Sequence, residues 1–247
     1  MLGMATKHYT TNLYKMKILV WGIEDELVTA ETKAIHLIDT SHAFNVDMEF
    51  IGIGETFIGF RERLPILQKH LRTVDPEEII TVMDGYDTLF NNKPEIALER
   101  FLAKNTRILI SAEKSFTYQY PMYFEKYDQI KSPYKFVNAG TYMGYAGDIL
   151  SMLDVMFEVP YDGIDQGMIG AWLYDKLDQP EKVQLDTNCD IFWVTSGDWV
   201  ELKKIAEEEL ELINPTTNTK PFIIHNTGNA DPNLNETFKA AYKNIIS

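Results

Sequence analysis

Two carboxylates three positions apart, Asp84 and Asp87, close an apolar run that begins at Ile79. Ile79-Ile80-Thr81-Val82-Met83 has the β-branched and long apolar side chains of a short buried strand, and Asp75-Pro76 supplies a turn ahead of it. The interior of a buried strand does not tolerate a charge, so Asp84 marks where the strand emerges. In open α/β sheets, ligands bind outside the carboxyl ends of the strands. With only Gly85 and Tyr86 between them, the two carboxylates converge if the chain turns there. Convergent oxygen ligands suit a hard divalent cation carrying a phosphate; an Asx-turn, in which Asp84 bonds local backbone, is the alternative. His225 repeats the pattern. It leaves the apolar stretch Pro221-Phe222-Ile223-Ile224 and opens the polar Asn226-Thr227-Gly228-Asn229. A lone histidine in such a place is commonly a hydrogen-bonded structural residue. As a ligand, it would join Asp84, Asp87 and two diphosphate oxygens in a near-octahedral shell, which suits Mn²⁺ better than the oxygen-loving Mg²⁺.

A sheet must position these residues. Residues 17–22 read as a first buried strand, and Leu27, Ala30, Ala34 and Ile38 follow at helical spacing. A second strand is expected over 46–53, then a helix carrying Leu64, Leu67 and Leu71, then the strand into Asp84. Pro94 suits the first turn of a helix continuing through 96–101, and 107–110 is a fourth strand ending at Ser111-Ala112-Glu113. This β-α rhythm predicts an α/β fold with a mostly parallel, helix-covered sheet. Beyond residue 113 the pattern changes. Residues 114–135 are aromatic and irregular, and 136–145 is a strand carrying Asn138-Ala139-Gly140. Asp148 is placed to cap a helix with Ile149, Met152, Leu153 and Met156 on its apolar face. Ile164, Met168 and Trp172 mark another helix, with Asp165 and Gln166 in its first turn. Short strands at 183–185 and 191–194, an acidic helix over 199–212 with a solvated face, and a closing helix over 233–246 complete the chain. Residues 16–247 read as one domain, preceded by a loosely ordered extension over 1–15.

Composition narrows the function. A net charge of −14 repels nucleic acid, and an anionic ligand would need a cation or local basic groups to approach. Cys189 is the single cysteine, so the chain forms no internal disulfide and no thiolate zinc cluster. No apolar run is long enough to span a membrane, and the first residues lack the apolar core of a signal peptide. The expectation is a cytoplasmic protein.

Val82-Met83-Asp84-Gly85-Tyr86-Asp87 resembles the metal motif in the glycosyltransferase domain of the procollagen lysyl hydroxylase and collagen glycosyltransferase family, which has the GT-A fold. Further landmarks follow in the same order: Gly52-Ile53-Gly54-Glu55-Thr56-Phe57, Ser111-Ala112-Glu113, residues 136–144 around Asn138, Asp165-Gln166 and Ile224-His225. The resemblance implies that Asp84, Asp87 and His225 hold Mn²⁺ on the diphosphate of a UDP-sugar. It implies that Tyr86 and Phe57 pack against the uridine, although packing within a core or turn would explain both equally. Asn138 and Asp165 would face the donor sugar as catalytic candidates, with Gln166, Glu113 and Gly228 also at the donor. Read from the residues alone, Asn138 caps backbone beside Gly140 and Asp165 complements a helix N-terminus. The implied reaction moves a hexose, glucose or galactose, from a UDP-sugar to a hydroxyl acceptor, extending to (galactosyl)hydroxylysine of a collagen-like polypeptide. Departures are also visible. The family's acidic run is reduced to Asp162-Gly163-Ile164-Asp165, and the lysine that follows the histidine is absent, so its charge on the diphosphate comes from Arg61 or Arg63 or goes unsupplied. The aromatic expected after Glu113 is Phe116, Tyr118 or Tyr120. Two other readings stay open: a catalytically silent UDP-sugar-binding module, and a metal-dependent sugar nucleotidyltransferase. The latter class carries a Gly-rich basic loop near its start, which Trp21-Gly22-Ile23-Glu24-Asp25 does not provide.

Overall fold

The computed structural model describes residues 15–119, 121–158, 163–208, 211–227 and 232–246. The extension expected over 1–15 lies outside them, Lys15 excepted. The chain opens with β1 (Met16–Trp21), α1 (Leu27–Lys33), α2 (Ile35–Phe44), β2 (Glu49–Ile51), α3 (Leu64–Leu71) and β3 (Ile79–Asp84). It continues with β4 (Thr88–Phe90), α4 (Pro94–Ala103), β5 (Ile108–Glu113), α5 (Phe124–Asp128), β6 (Phe136–Tyr145), α6 (Ala146–Met156) and α7 (Asp165–Tyr174). It closes with β7 (Val183–Leu185), β8 (Phe192–Val194), α8 (Trp199–Glu207), β9 (Ile223–His225) and α9 (Pro232–Ile246).

Among the described residues two sheets form. The larger has the order β2-β1-β3-β6-β5-β7, and β6 alone runs against its neighbours. The expected mostly parallel sheet is therefore present with one reversed strand. The reason is local. Chain leaving β5 at Glu113 returns beside it, Glu113 pairing with Phe136, so β6 must run back the way β5 came. That reversal puts the start of β6, with Asn138 and Gly140, at the edge where the parallel strands end. β1, β3 and β5 are buried on both faces, as apolar runs under helices on either side should be.

The smaller sheet, in the order β4-β9-β8, was not legible as a sheet. β4 is only Thr88-Leu89-Phe90, and it starts directly after the acidic pair, where a turn is the natural reading. All three of its residues are buried, and it pairs antiparallel with β9, Thr88 opposite His225.

Other expectations shift in detail. The strand expected over 46–53 shrinks to Glu49–Ile51: Asn45 closes α2 in the left-handed region, Val46 N–H bonds Ser41 O at 2.8 Å, and Gly52 turns at φ 89°. The helix expected through Leu27 and Ile38 is two helices broken at Ala34, whose ψ is 17°. Asp148 is not a cap. α6 starts two residues earlier, and the Asp148 carboxylate accepts from Arg107 Nε at 2.8 Å. On α8 the outward Glu201, Lys203, Lys204 and Glu207 are exposed as expected, while Leu202 and Ala206 pack inward. Among the described residues, no helix is long and apolar enough to cross a membrane.

Leu89 is fully buried at the centre of β4. Leu89→Ala should lower unfolding stability by about 2–5 kcal/mol, read as a drop in the urea midpoint. A wild-type midpoint would refute the burial of β4.

Candidate functional site

Register brings the three sequence-predicted ligands together. In β3, Asp84 lies opposite Trp21 of β1, at the last pair of that ladder. The chain then turns through Gly85, where a Cβ would collide with Trp21 O and come within 2.9 Å of Val20 Cγ1. The turn is fastened at both ends. Thr88 Oγ1 donates to Asp84 O, and Asn226 N–H donates to Asp87 O at 2.8 Å. β4 and β9 then carry His225 back to the carboxylates. Its Nε2 lies 3.5 Å from Asp87 Oδ1 and 3.7 Å from Asp84 Oδ2.

Side-chain chemistry fits a divalent cation there. The Asp84, Asp87 and His225 ligand atoms lie within 4.8 Å of one another. Neighbouring ligands at about 2.0–2.6 Å from a shared cation sit roughly 3–3.7 Å apart when at right angles, so little movement is needed. His225 Nδ1 is 3.0 Å from Asn138 Oδ1, and that oxygen also accepts Gly140 N–H at 3.0 Å. Oδ1 is thereby fixed as an acceptor, so Nδ1 carries the imidazole proton and Nε2 presents its lone pair to the carboxylates. Burial alone would lower the His225 pKa, but Asp87 first, then Asp84 and Glu113, raise it above the ordinary histidine value. A proton and a cation therefore compete for Nε2. Gly140 completes the cradle. A Cβ at this position would collide with the His225 ring and lie 2.7 Å from Asp84 Oδ2.

Behind the histidine runs a chain of amides. Gln166 Nε2 donates to Glu113 Oε1 at 2.8 Å and to Thr117 Oγ1 at 3.1 Å, while its Oε1 accepts Ala139 N–H at 3.3 Å. Glu113 is buried, which pushes its carboxyl pKa up. Both ends of the Gln166 amide are thus engaged by protein, and Gln166 and Glu113 brace the strand that carries Asn138.

Asp165 is 3% exposed. Its Oδ2 accepts from Arg63 Nε at 2.9 Å and lies 2.6 Å from Nη2 in an ion pair, and its Oδ1 accepts Gln166 N–H at 2.8 Å. The remaining Arg63 nitrogen, Nη1, reaches Asp84 Oδ1 at 2.6 Å. Burial raises the Asp165 pKa; Arg63 opposes this without reversing it. The guanidinium lies 5.0 Å from the Trp21 ring centre and 5.3 Å from that of Phe60. Of the two arginines considered for the diphosphate, Arg63 is at the site but already spans two carboxylates.

A cleft of about 520 Å³ opens beside Asp84 and Asp87, walled by Trp21, Phe57, Phe60 and Tyr86. Phe57 is 51% exposed and meets the Phe60 edge at 5.4 Å, so it is not core packing. Tyr86 donates its hydroxyl to Glu24 Oε1 at 2.9 Å, and Lys33 holds the same oxygen at 2.6 Å. Such walls suit a flat ring. Of the three aromatics considered after Glu113, Phe116 packs inward on Phe124 and Phe136, and Tyr118 is 67% exposed. Tyr120 lies outside the described residues, as do Gly228 and Asp162. Sequence reasoning missed Gly140, the Thr88 and Asn226 fastenings and the Arg63 bridge. Gly140 alone carried a signal, as a glycine inside an apolar strand.

Comparison with known proteins agrees with this architecture. The family model for the PLOD GT domain matches residues 17–243. The multifunctional procollagen lysine hydroxylase and glycosyltransferase of Caenorhabditis elegans is 26% identical over 81% of this chain and 29% of its own length. Its human counterpart LH3 is 25% identical over 85% of this chain and 30% of its own length. An uncharacterised protein of Acanthamoeba polyphaga mimivirus, R699, is 27% identical over 73% of this chain and 38% of its own length. The chain thus spans about a third of the length of these relatives. Among solved structures, a glycosyltransferase involved in glycosylation of the major capsid of PBCV-1 superposes with TM-score 0.54 at 13% identity, covering 92% of this chain and 98% of that one. The WbbM bifunctional enzyme superposes with TM-score 0.50 at 14% identity, covering all of this chain and 53% of that one. The fold is that of the GT-A glycosyltransferases.

Gly140→Ala should displace the His225 ring. The expected result is a shift of the His225 ring NMR signals and a loss of about 1–3 kcal/mol in unfolding stability. If both are unchanged, the close approach is refuted.

Proposed function

Because the chain belongs to the PLOD GT domain family, we propose that it is a Mn²⁺-dependent glycosyltransferase that moves a hexose, glucose or galactose, from a UDP-sugar to a hydroxyl acceptor. The observation that carries this reading is the Asp84–Asp87–His225 group, whose two carboxylates line a cleft walled by Phe57 and Tyr86. The two aromatic side chains would sandwich the uridine, and the three ligands would hold the cation under the diphosphate. When bound, the cation supplies Lewis-acid stabilisation of the departing UDP. The protein's own contribution is positional. Asn138 holds the His225 proton on Nδ1, Gln166 and Glu113 brace the strand that carries Asn138, and Arg63, which lines the cleft, is held by the buried Asp165. Residues 16–247 act in this reading as one domain. The acceptor we favour is a hydroxyl on a collagen-like polypeptide, including (galactosyl)hydroxylysine, because the relatives' names join glycosyltransferase to procollagen lysine hydroxylase.

One observation favours a second reading. Asp165, a candidate to act on the sugar, has both carboxylate oxygens engaged by Arg63 and the Gln166 amide. A module that binds UDP-sugar without turnover would tolerate this arrangement.

UDP release from a panel of UDP-sugars, with and without Mn²⁺, separates the two. Transfer predicts Mn²⁺-dependent release for one hexose donor; Mn²⁺-dependent binding without release supports the silent module. Asp84→Ala and Asp87→Ala should each abolish that release while the far-UV spectrum stays native. Retained turnover in either would sink the assignment. Tyr86→Ala should raise the donor KM about tenfold or more, in line with about 1–3 kcal/mol for a lost stacking partner.

A further inference from the structure

Beside the two carboxylates that would face a divalent cation, the site sets a third, Asp165, on one buried guanidinium. Arg63 Nη1 sits 2.6 Å from Asp84 Oδ1, so a fixed positive charge touches a residue that would bind the cation. Left uncompensated in a buried setting, that charge would oppose a cation arriving at Asp84. Asp165 answers it with one Nε–H···O bond from Arg63 and an ion-pair contact of 2.6 Å between Nη2 and the same oxygen. The arrangement is rigid: the Gln166 N–H pins the other Asp165 oxygen, and Trp21 and Phe60 lie against the guanidinium.

We propose that Asp165 is the counter-ion of Arg63 and thereby a positioning residue of the Asp84–Asp87–His225 site, acting on cation affinity through Arg63. Asp165 and Arg63 cancel, which leaves the two charges of Asp84 and Asp87 to match a divalent cation. Arg63 in turn occupies Asp84 Oδ1, so only Oδ2 faces His225. The carboxylate therefore offers the cation one oxygen. Asp165 lies 102 positions from Arg63, on the first turn of α7, so α7 reaches Asp84 through the Asp165–Arg63 contact as well as the Asn138 strand through Gln166. The inference rests on the cation reading of these three ligands.

The test is Mn²⁺ affinity in the absence of any donor, measured by the electron paramagnetic resonance signal of free Mn²⁺. It compares the wild type, Asp84→Asn, Asp165→Asn and the double variant Arg63→Met with Asp165→Asn. Asp165→Asn should weaken binding about tenfold or more, the scale of lost outer-sphere partners at metal sites. The double variant, which removes both charges, should return to within about threefold of the wild type. A purely structural role for Asp165 predicts no such rescue. Wild-type affinity in Asp165→Asn, or a double variant weaker than the single, overturns the counter-ion role and leaves the cation site standing. A wild type that binds no more Mn²⁺ than Asp84→Asn overturns the cation reading and this inference together. Should Asp165→Asn fail to fold, the double variant decides alone: near wild-type affinity supports the charge-pair role, and a loss beyond tenfold overturns it.

Discussion

Three backbone pairs between β4 and β9 determine whether the rest of the site exists. Thr88 opposite His225 brings together residues 137 positions apart in sequence, and the turn before Thr88 carries Asp87. Because side chains alternate across a strand, a slip of one residue would send His225 to the opposite face and leave two carboxylates without their imidazole. The register is protected by burial. Leu89, Phe90, Ile223 and Ile224 are inaccessible, and the Asn91 amide donates to Leu212 O and Pro221 O, locking the strand's far end. The small sheet is thus a clamp on the large one, closed by apolar packing and tuned by two hydrogen bonds at the acidic turn.

Electrostatics explain why the surroundings are so thoroughly bonded. The cluster gathers Asp84, Asp87, Asp165 and Glu113 near one guanidinium and one imidazole, within a chain already at −14. Buried carboxylates are costly unless each oxygen has a donor. Asp165 meets this demand at both oxygens, with Arg63 and the Gln166 amide, and Glu113 meets it at Oε1, which accepts from both Gln166 and Thr117. Asp84 and Asp87 are more open, as residues that exchange solvent for a ligand must be.

Much of this was readable from residue types because strand ends announce themselves. A charge that terminates an apolar run is a local signal, and it located Asp84 and His225 without knowledge of their partners. The aromatic walls were readable only in part: Phe57 is exposed, which neither its type nor its neighbours reveal. What escaped was short or distant. β4 is too brief to have a period of its own, and it is held by pairing with β9, by burial of its three residues and by the Thr40 hydroxyl on Phe90 N–H. Arg63 and Asp165 were each singled out in sequence for a separate role, one for the diphosphate and one for the sugar, but nothing in the sequence showed that they pair with each other. Asp148 misled because a good capping residue sits two positions inside α6, where Arg107 outcompetes the helix end for its carboxylate.

The reversal of β6 has a consequence for how the protein can vary. The segment between β5 and β6 departs from Glu113 and re-enters at Phe136 across a single ladder pair, so its ends are held together by the sheet itself. Between those ends the excursion is anchored by Tyr127 and Tyr134, both fully buried, while Tyr118 and Met122 are exposed. Closing a longer or shorter one costs only a slowly growing entropy, and the strands that carry Asp84, Asn138 and His225 need not move. The architecture therefore separates two jobs: a floor built from strand registers, and beside it an excursion whose exposed positions can change in length and type while Tyr127 and Tyr134 keep it seated on the core.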